Sequence, residues 1–423
     1  MKLAALFIKV LYSLCCLAPI KQRVAFLSRQ SDGVSRDFSL IIDDLNAASI
    51  KSVVSSAAYK TSGLPAYITS TIMQVYLAAT SAVIIVEGYV PAVSIPEKRD
   101  GICVIQTWHA SGAIKKFGYA ALGTAAGRRA KTAEVLRMHK NYDAIIAGGP
   151  GAVSAFSQAF GYPEDVIYPF GIARLDWLFA LSKTSQPSSV ARLLSSFGAC
   201  ADALGDSSFS SGRTPVVLYA PTLRADAPDH EWFLNAVSEL SRECSACNIS
   251  LIVTPHPLMD SPTISALEGQ GVKFSGGLST LELVPYVDAV ITDYSAVALC
   301  AGFIKTPVYF YPFDIDSYRI SPGLFVDPCS SFEMCASTDA KALAELISSD
   351  IECGFEKAAT YLLWCESYFE GVLGGMCTRR VVELIKEALS GQKLTKSADK
   401  PQKNTTDNPG FQGRYIAKKE ACA

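Results

Sequence analysis

The chain has 423 residues, 49% hydrophobic and 18% charged, with a formal net charge of −2. That is long enough for two domains with separate cores, and the near-neutral balance excludes the broad basic field of a nucleic-acid binder. Thirteen cysteines, an odd number without framework spacing, suit a reducing compartment rather than a disulfide scaffold.

Residues 1–18 are almost wholly apolar. Lys9 interrupts the run, Lys21 and Arg23 follow it, and no small-residue cleavage pattern precedes the next strand, so a signal peptide is disfavoured. The run is shorter than the roughly 20 residues a bilayer span requires. On a helical wheel Lys2, Lys9 and Ser13 share a narrow stripe, while Leu3, Phe7, Val10, Leu14 and Leu17 face elsewhere. Residues 1–20 are therefore expected to form an amphipathic helix lying in a bilayer interface. The competing reading is a core helix capping the first domain.

From residue 21 short apolar runs alternate with helical stretches. Strands are expected at "RVAFLS", "KSVVSS", "AVIIVEG", "ICVIQTW", "YDAIIAG" and "DVIYPFG", and helices at 36–47, 65–80 and 150–160. Near-continuous apolar strands in this alternation predict a parallel sheet covered on both faces, over 21–182. Residues 183–213, rich in Ser, Gly and Ala, read as a linker holding one short helix. A second alternating set follows over 214–390: "TPVVLYAP", "NISLIVTPHP", "GVKFSGG", "DAVITDY" and "TPVYFYPF", then a helical region from 338. The fold class is thus α/β, with two doubly wound domains facing a cleft at the carboxyl ends of their strands. Residues 391–423 carry seven Lys or Arg against three acids and are expected to be a disordered basic tail.

Chemistry concentrates at strand ends. His109 follows the strand that ends near Trp108, and imidazole can take a proton from a hydroxyl near neutral pH. Ser111 and Gly112 would let backbone approach a ligand, and Lys115 and Lys116 supply charge for phosphate. The alternative is a packed histidine held by a backbone carbonyl. His256, flanked by Pro255 and Pro257, stands at the end of a strand in the second domain. "ITDYSAVALC" ends a strand at Thr292–Asp293 and starts a helix near Ser295, whose first amides and macrodipole make an anion site; a simple helix cap is equally compatible. Thr222 and Arg224 end another strand, and Arg174 and Asp176 stand near the end of the first domain. Cys244 and Cys247 form a C-x-x-C without further ligands nearby, Asp314 and Asp316 read as a solvated turn, and "GGPG" at 148–151 as a strand-to-helix turn.

These stretches, in this order, resemble the CDP-glycerol glycerophosphotransferases that build teichoic acids and related polyol-phosphate polymers. The resemblance runs from about residue 8 to 388 and rests on "VIQTWHASGAIKKFGY", "YAPTLR", "PHP", "ITDYSAV" and "PVYFYPFDIDSY". It implies a GT-B-like fold with the nucleotide in the second domain. It also implies transfer of glycerol or ribitol phosphate from CDP-glycerol or CDP-ribitol to a lipid-linked polyol-phosphate or glycan acceptor, with release of CMP. His109 would be the general base and His256 would hydrogen-bond a phosphate oxygen. The pyrophosphate would rest on the amides near Ser295 and Ala296, beside Thr292, Asp293 and Arg224. No tightly bound metal is implied, with an assisting magnesium ion left open. The location implied is the cytoplasmic face of the cell membrane, as a peripheral protein. Two positions depart from the family pattern: Ala296 stands where serine is usual, and Cys300 where an acid is usual. A sugar-nucleotide glycosyltransferase and an inactive membrane-bound relative are the rival readings.

Overall fold

The computed structural model describes residues 2–30, 33–57, 63–197, 213–224, 231–256, 258–394 and 396. Two compact units emerge. The first takes Met1–Leu181 together with two later segments, Asp314–Asp327 and Cys365–Thr395; the second takes Ser182–Phe313 and Pro328–Trp364.

The first unit is built on six strands, β1 (Lys21–Ser28), β2 (Ser52–Ser56), β3 (Ser81–Val86), β4 (Cys103–Gln106), β5 (Ala144–Ile146) and β6 (Ile167–Tyr168). They are ordered β2-β1-β3-β4-β5-β6, and every pair is parallel. The apolar runs expected from sequence are these strands. Val24, Phe26, Val83 and Ile85 are fully buried, as strands covered on both faces require. The order reverses between β1 and β3, and open α/β sheets bind ligands at the carboxyl end of that reversal. Helices Arg36–Ala47 and Leu64–Thr80 fall where they are expected, and Val153–Phe160 follows a short 3₁₀ turn.

The second unit holds β7 (Val216–Ala220), β8 (Ser250–Val253), β9 (Ala289–Thr292) and β10 (Val308–Phe310) in the all-parallel order β10-β9-β7-β8. The fifth expected strand, "GVKFSGG", is reduced to one bridge between Phe274 and Val253. Positive φ at Gly271, Gly276 and Gly277 bends that segment away from extended geometry on both sides. The expected linker contains helix Ser188–Ser196; residues 198–212 lie outside the described set, as do 397–423 of the expected tail.

The boundary expected at 214–390 needs correction. Helix Cys377–Leu389 belongs to the first unit, where the Asp176 carboxylate accepts the amides of Gly375, Cys377 and Thr378 at 2.8, 3.0 and 2.7 Å and caps the start of that helix. Residues 323–326 also return there, since the Lys116 amide donates to the Gly323 carbonyl at 2.9 Å and Phe325 N–H to Ile114 at 2.8 Å. Neither return has a local sequence signature.

One device recurs in both units. "DAII" and "DAVI" open β5 and β9, and each aspartate accepts an amide near the start of a neighbouring strand: Asp143 from Val104 at 2.7 Å, Asp288 from Val216 at 2.8 Å. Lys98 and Arg213 pair with the same two carboxylates. Charge-assisted bonds of this kind are worth about 1.5–3 kcal/mol. Asp288→Ala is expected to cost about 2 kcal/mol and to lower the melting midpoint of the second unit by about 4–8 °C. The exposed Asp316→Ala serves as a control with little effect in calorimetry.

Candidate active site

In the first unit the site grows from the carboxyl end of β4. Trp108 adopts a left-handed backbone, φ 54°, a costly conformation for a bulky residue. Its amide donates to Gln106 Oε1 at 2.9 Å, and its ring stacks on Phe117 with centroids 4.6 Å apart. This turn carries His109 away from the strand path and sets its ring 4.1 Å from that of Trp108.

His109 Nδ1 lies 3.3 Å from the main-chain carbonyl of Glu87. A carbonyl only accepts, so the contact assigns the proton to Nδ1 and leaves Nε2 with its lone pair. Burial of the ring holds its pKa down at about 4, against the opposing pull of the Glu87 carbonyl; Arg174 lowers it further and Asp37 raises it. The imidazole is therefore neutral at physiological pH and presents a basic nitrogen.

Glu87 itself is a residue that the strand-end search passed over. Its carboxyl is buried and accepts a hydrogen bond from Ser28, and among the described residues its Oε2 has no partner. Burial raises its pKa, with the hydroxyls of Ser28 and Ser35 opposing. A lone acid ending the run "SAVIIV" was the available signal. Ser28 ends β1 and Glu87 directly follows β3, so this pair marks the point where the strand order reverses.

Other expected ligands in this unit are engaged by the protein. Arg174 binds Asp37 through its amide and its Nε, both at 2.7 Å, in a largely buried pair. Ser111 is fully buried, and what approaches its backbone is not a ligand but Gly148, where an added Cβ would sit 1.7 Å from the Ser111 carbonyl oxygen. That contact also explains the "GGPG" stretch: a Cβ at Gly149 or Gly151 would collide with Tyr368. Lys115 forms an antiparallel bridge with Leu324 and acts on His109 as a cation, while the Lys116 stem lies along Gly323.

In the second unit the carboxyl ends of β7 and β9 are joined through Asp293. Its carboxylate accepts from the Thr222 amide at 3.0 Å, the Thr222 hydroxyl at 2.6 Å, Arg224 at 2.6 Å and the Tyr294 amide at 2.6 Å. Arg224 holds the pair in place and, despite burial, the carboxyl pKa is lowered. The guanidinium also lies over the rings of Tyr294 and Phe313. Thr292 donates its hydroxyl to the Ala220 carbonyl at 2.7 Å. Thr292 and Asp293 were expected to contact a ligand; their hydrogen bonds instead make them the frame that shapes the strand-end loops.

The anticipated helix begins two residues late, at Val297–Phe303, with Ala296 as its cap residue. The cause is local: the Tyr294 amide goes to Asp293 and the Val297 amide to the Ser295 hydroxyl at 3.3 Å, forming side-chain turns ahead of the helix. Among the described residues the amides of Ser295 and Ala296 have no acceptor. His256 follows β8 on the same carboxyl edge. Its Nδ1 accepts the Leu258 amide at 3.1 Å, which assigns the proton to Nε2 and makes the ring's outer nitrogen a donor. Cys300, the second departure from the family pattern, is buried within the helix.

Of the two decoys, the acidic pair differs from the expected turn, since Asp314 caps and Asp316 lies within helix Ile315–Ile320. Cys244 is buried, its thiol pushed up to about 12 by desolvation, and Asp316 pairs with Arg319 at the surface. Among the described residues no group of three or more His, Cys, Asp or Glu is placed to hold a metal ion.

Comparison with known proteins now decides the family. Residues 10–387 match the model for CDP-glycerol:poly(glycerophosphate) glycerophosphotransferase. The chain belongs to that family. A teichoic acid ribitol-phosphate primase of Bacillus spizizenii is 28% identical over 302 residues, 71% of this chain and 74% of that protein. A glycerol-phosphate primase of the same organism is 26% identical over 59% of this chain and 61% of its own. The chain spans 47% of that organism's poly(ribitol-phosphate) polymerase, at 25% identity. Among solved structures, the wall teichoic acid polymerase TagF superposes with a TM-score of 0.66 at 18% identity, over 91% of this chain and 94% of that one. The GT-B-like α/β fold and the family resemblance are both confirmed. A putative UDP-N-acetylglucosamine 2-epimerase from Listeria monocytogenes shares the fold at a TM-score of 0.58 and 12% identity.

If His109 acts as a base, its neutral ring is the active form, and the acid limb of kcat/KM for the acceptor reflects its pKa in the acceptor-free protein. Activity is expected to stay level as pH falls through 6.5 and to drop only near the shifted value of about 4. A limb at the ordinary histidine value would show a ring free of the burial described. The measurement is a pH profile of kcat/KM for the acceptor, taken with acceptor well below saturation.

Proposed function

We propose that the chain transfers glycerol phosphate or ribitol phosphate from a CDP-alcohol to the terminal hydroxyl of a lipid-linked polyol-phosphate or glycan acceptor, releasing CMP. The observation that carries this reading is the pair of opposite tautomers. His109 offers a lone pair on Nε2 and His256 offers a proton on Nε2.

In this mechanism His109 Nε2 takes the proton of the acceptor hydroxyl. The oxygen attacks the β-phosphorus of the donor, the bond from that phosphorus to the bridging oxygen breaks, and CMP leaves. His256 donates to a donor phosphate oxygen, with the amides of Ser295 and Ala296 as further donors. Proton transfer by a positioned base contributes about 10²–10⁴-fold, and charge stabilisation on the phosphates supplies much of the remainder. Neither histidine role requires a resident metal, and magnesium assistance is tested by adding chelator to the assay.

A peripheral membrane location is supported by the N-terminal helix, Lys2–Cys15. One face, Ala5, Ile8 and Tyr12, is buried, and the Tyr12 hydroxyl accepts the Arg99 amide at 3.1 Å. The other face exposes Leu3, Leu6, Phe7, Val10 and Leu14, and helix Leu64–Thr80, against which it packs, exposes Ile68, Ile72 and Met73. Both expectations for this segment thus have a physical basis: it packs on its own domain and still presents an apolar surface. Exposed patches of this kind mark interaction sites, and we read this one as seated in the cytoplasmic leaflet. Among the described residues no helix is long and apolar enough to cross a membrane.

His109→Ala is expected to lower turnover of CDP-glycerol or CDP-ribitol by at least about 100-fold while leaving CDP-alcohol affinity within a factor of a few. Turnover of UDP-sugars alone would instead support the sugar-nucleotide reading, which the shared epimerase fold keeps open. Phe7→Ser with Leu14→Ser should release the protein from vesicles without lowering its melting temperature. Each large apolar side chain buried is worth about 1.5–3 kcal/mol. Deleting the whole helix is the poorer test, because it would uncover the face under Ala5, Ile8 and Tyr12.

A further inference from the structure

Several arginines of the first unit, Arg23, Arg29, Arg36 and Arg128 among them, lie over aromatic rings without a carboxylate partner among the described residues; Arg29 and Arg128 are the two beside the strand end that carries Glu87. Arg29 directly follows β1, and its guanidinium lies 4.9 Å from the Tyr67 ring centroid. Its Nε is buried and, among the described residues, has no hydrogen-bond partner. Arg128 is exposed and lies over Tyr89 at 5.4 Å. It is displayed on a tight turn in which its carbonyl accepts the Gly123 amide at 3.1 Å and Gly127 donates to Thr124 at 3.0 Å. Among the described residues no carboxylate pairs with either guanidinium, whereas Arg137, Arg174, Arg213, Arg224 and Arg319 all have acidic partners.

Arg128 lies over Tyr89, and Arg29 and Tyr89 leave the carboxyl ends of the paired strands β1 and β3, where Leu27 stands opposite Val86. Burial raises the Tyr89 pKa, and Arg128 first, then Arg29, oppose the rise. Tyr89 follows β3 by three residues and is two residues from Glu87, whose carbonyl holds His109. Two residues of chain span at most about 7 Å. The Tyr89 hydroxyl donates to the Leu136 carbonyl at 2.8 Å, and the Gly88 carbonyl between Tyr89 and Glu87 accepts from Gln106 at 3.0 Å, so the bracket joining base and cations is rigid. Uncompensated guanidiniums seated on aromatic faces, with a buried N–H lacking an acceptor, call for a ligand with several anionic oxygens.

We propose that Arg29 and Arg128, converging on Tyr89 at the carboxyl end of the first sheet, form a phosphodiester-binding subsite. It takes the acceptor-polymer phosphate nearest the hydroxyl that His109 deprotonates. The assignment rests on the transferase reading for its ligand. It makes the acceptor's own charge the means of placing its terminal hydroxyl, since one polyol unit bridges a phosphate and the reacting oxygen.

The test uses the full chain and a lipid-free, phosphodiester-linked glycerol phosphate oligomer, titrated by calorimetry at two salt concentrations. Arg29→Gln with Arg128→Gln should weaken oligomer binding by at least about tenfold per arginine and flatten its salt dependence. The same pair should raise KM for the oligomer acceptor far more than it lowers kcat, and leave CDP-glycerol affinity unchanged. Arg128→Glu, on an exposed turn, provides the same readout if Arg29→Gln impairs folding. Phosphatidylglycerol vesicles form the second arm, because a lipid headgroup presents the same phosphodiester. Loss of vesicle binding with oligomer affinity intact would assign the arginines to lipid and overturn the proposal. Wild-type failure to bind the oligomer, or variants binding it as wild type does, would overturn it too. Oligomer binding lost in the variants, in a protein that turns over no CDP-alcohol, would uphold the subsite while sinking the transferase reading.

Discussion

A neutral imidazole is a base only at the nitrogen its surroundings leave unprotonated, and at position 109 the main chain makes that choice. The carbonyl of Glu87 accepts a hydrogen bond from Nδ1–H, the left-handed backbone at Trp108 turns the ring out of the strand path, and burial keeps it uncharged at physiological pH. The strain at Trp108 is borne by packing against Phe117 and Phe160. Removing the Glu87 carbonyl from its place would free the ring to change tautomer, and Nε2 would become a donor.

The second unit uses the same means for the opposite end. His256 is held by an incoming amide rather than a carbonyl, so its outward nitrogen carries the proton. Asp293 gathers the β7 and β9 loops by accepting from Thr222, Arg224 and Tyr294. A buried carboxylate so fully supplied with donors is a structural hub; removing one partner of such a pair typically costs about 3–5 kcal/mol. It fixes the loop that leads into Ser295 and Ala296. Ala296 lacks the hydroxyl usual in the family, but its amide remains, and backbone donors do not depend on the side chain.

Much of this was legible in the chain. Runs such as "SAVIIV" and "TPVVLYAP" are apolar enough to define buried parallel strands, and His109 and His256 stand at strand ends where ligand chemistry gathers. What escaped reading depends on distant residues meeting. Arg174 and Asp37 are 137 positions apart, and nothing local shows that the arginine is already paired. Ser111 looked permissive toward ligand because Gly148, which approaches it, lies in another loop. The return of 314–327 and 365–395 to the first unit is likewise a tertiary fact. The His109 tautomer is set by such a contact, with Glu87 22 positions away, whereas that of His256 is set by the amide two residues on.

The most direct measurement is the nitrogen NMR spectrum of the imidazole rings near pH 7, with His109 and His256 assigned by substitution. The account predicts a neutral His109 protonated at Nδ1 and a His256 protonated at Nε2. A charged ring at position 109, or one carrying its proton on Nε2, would contradict it.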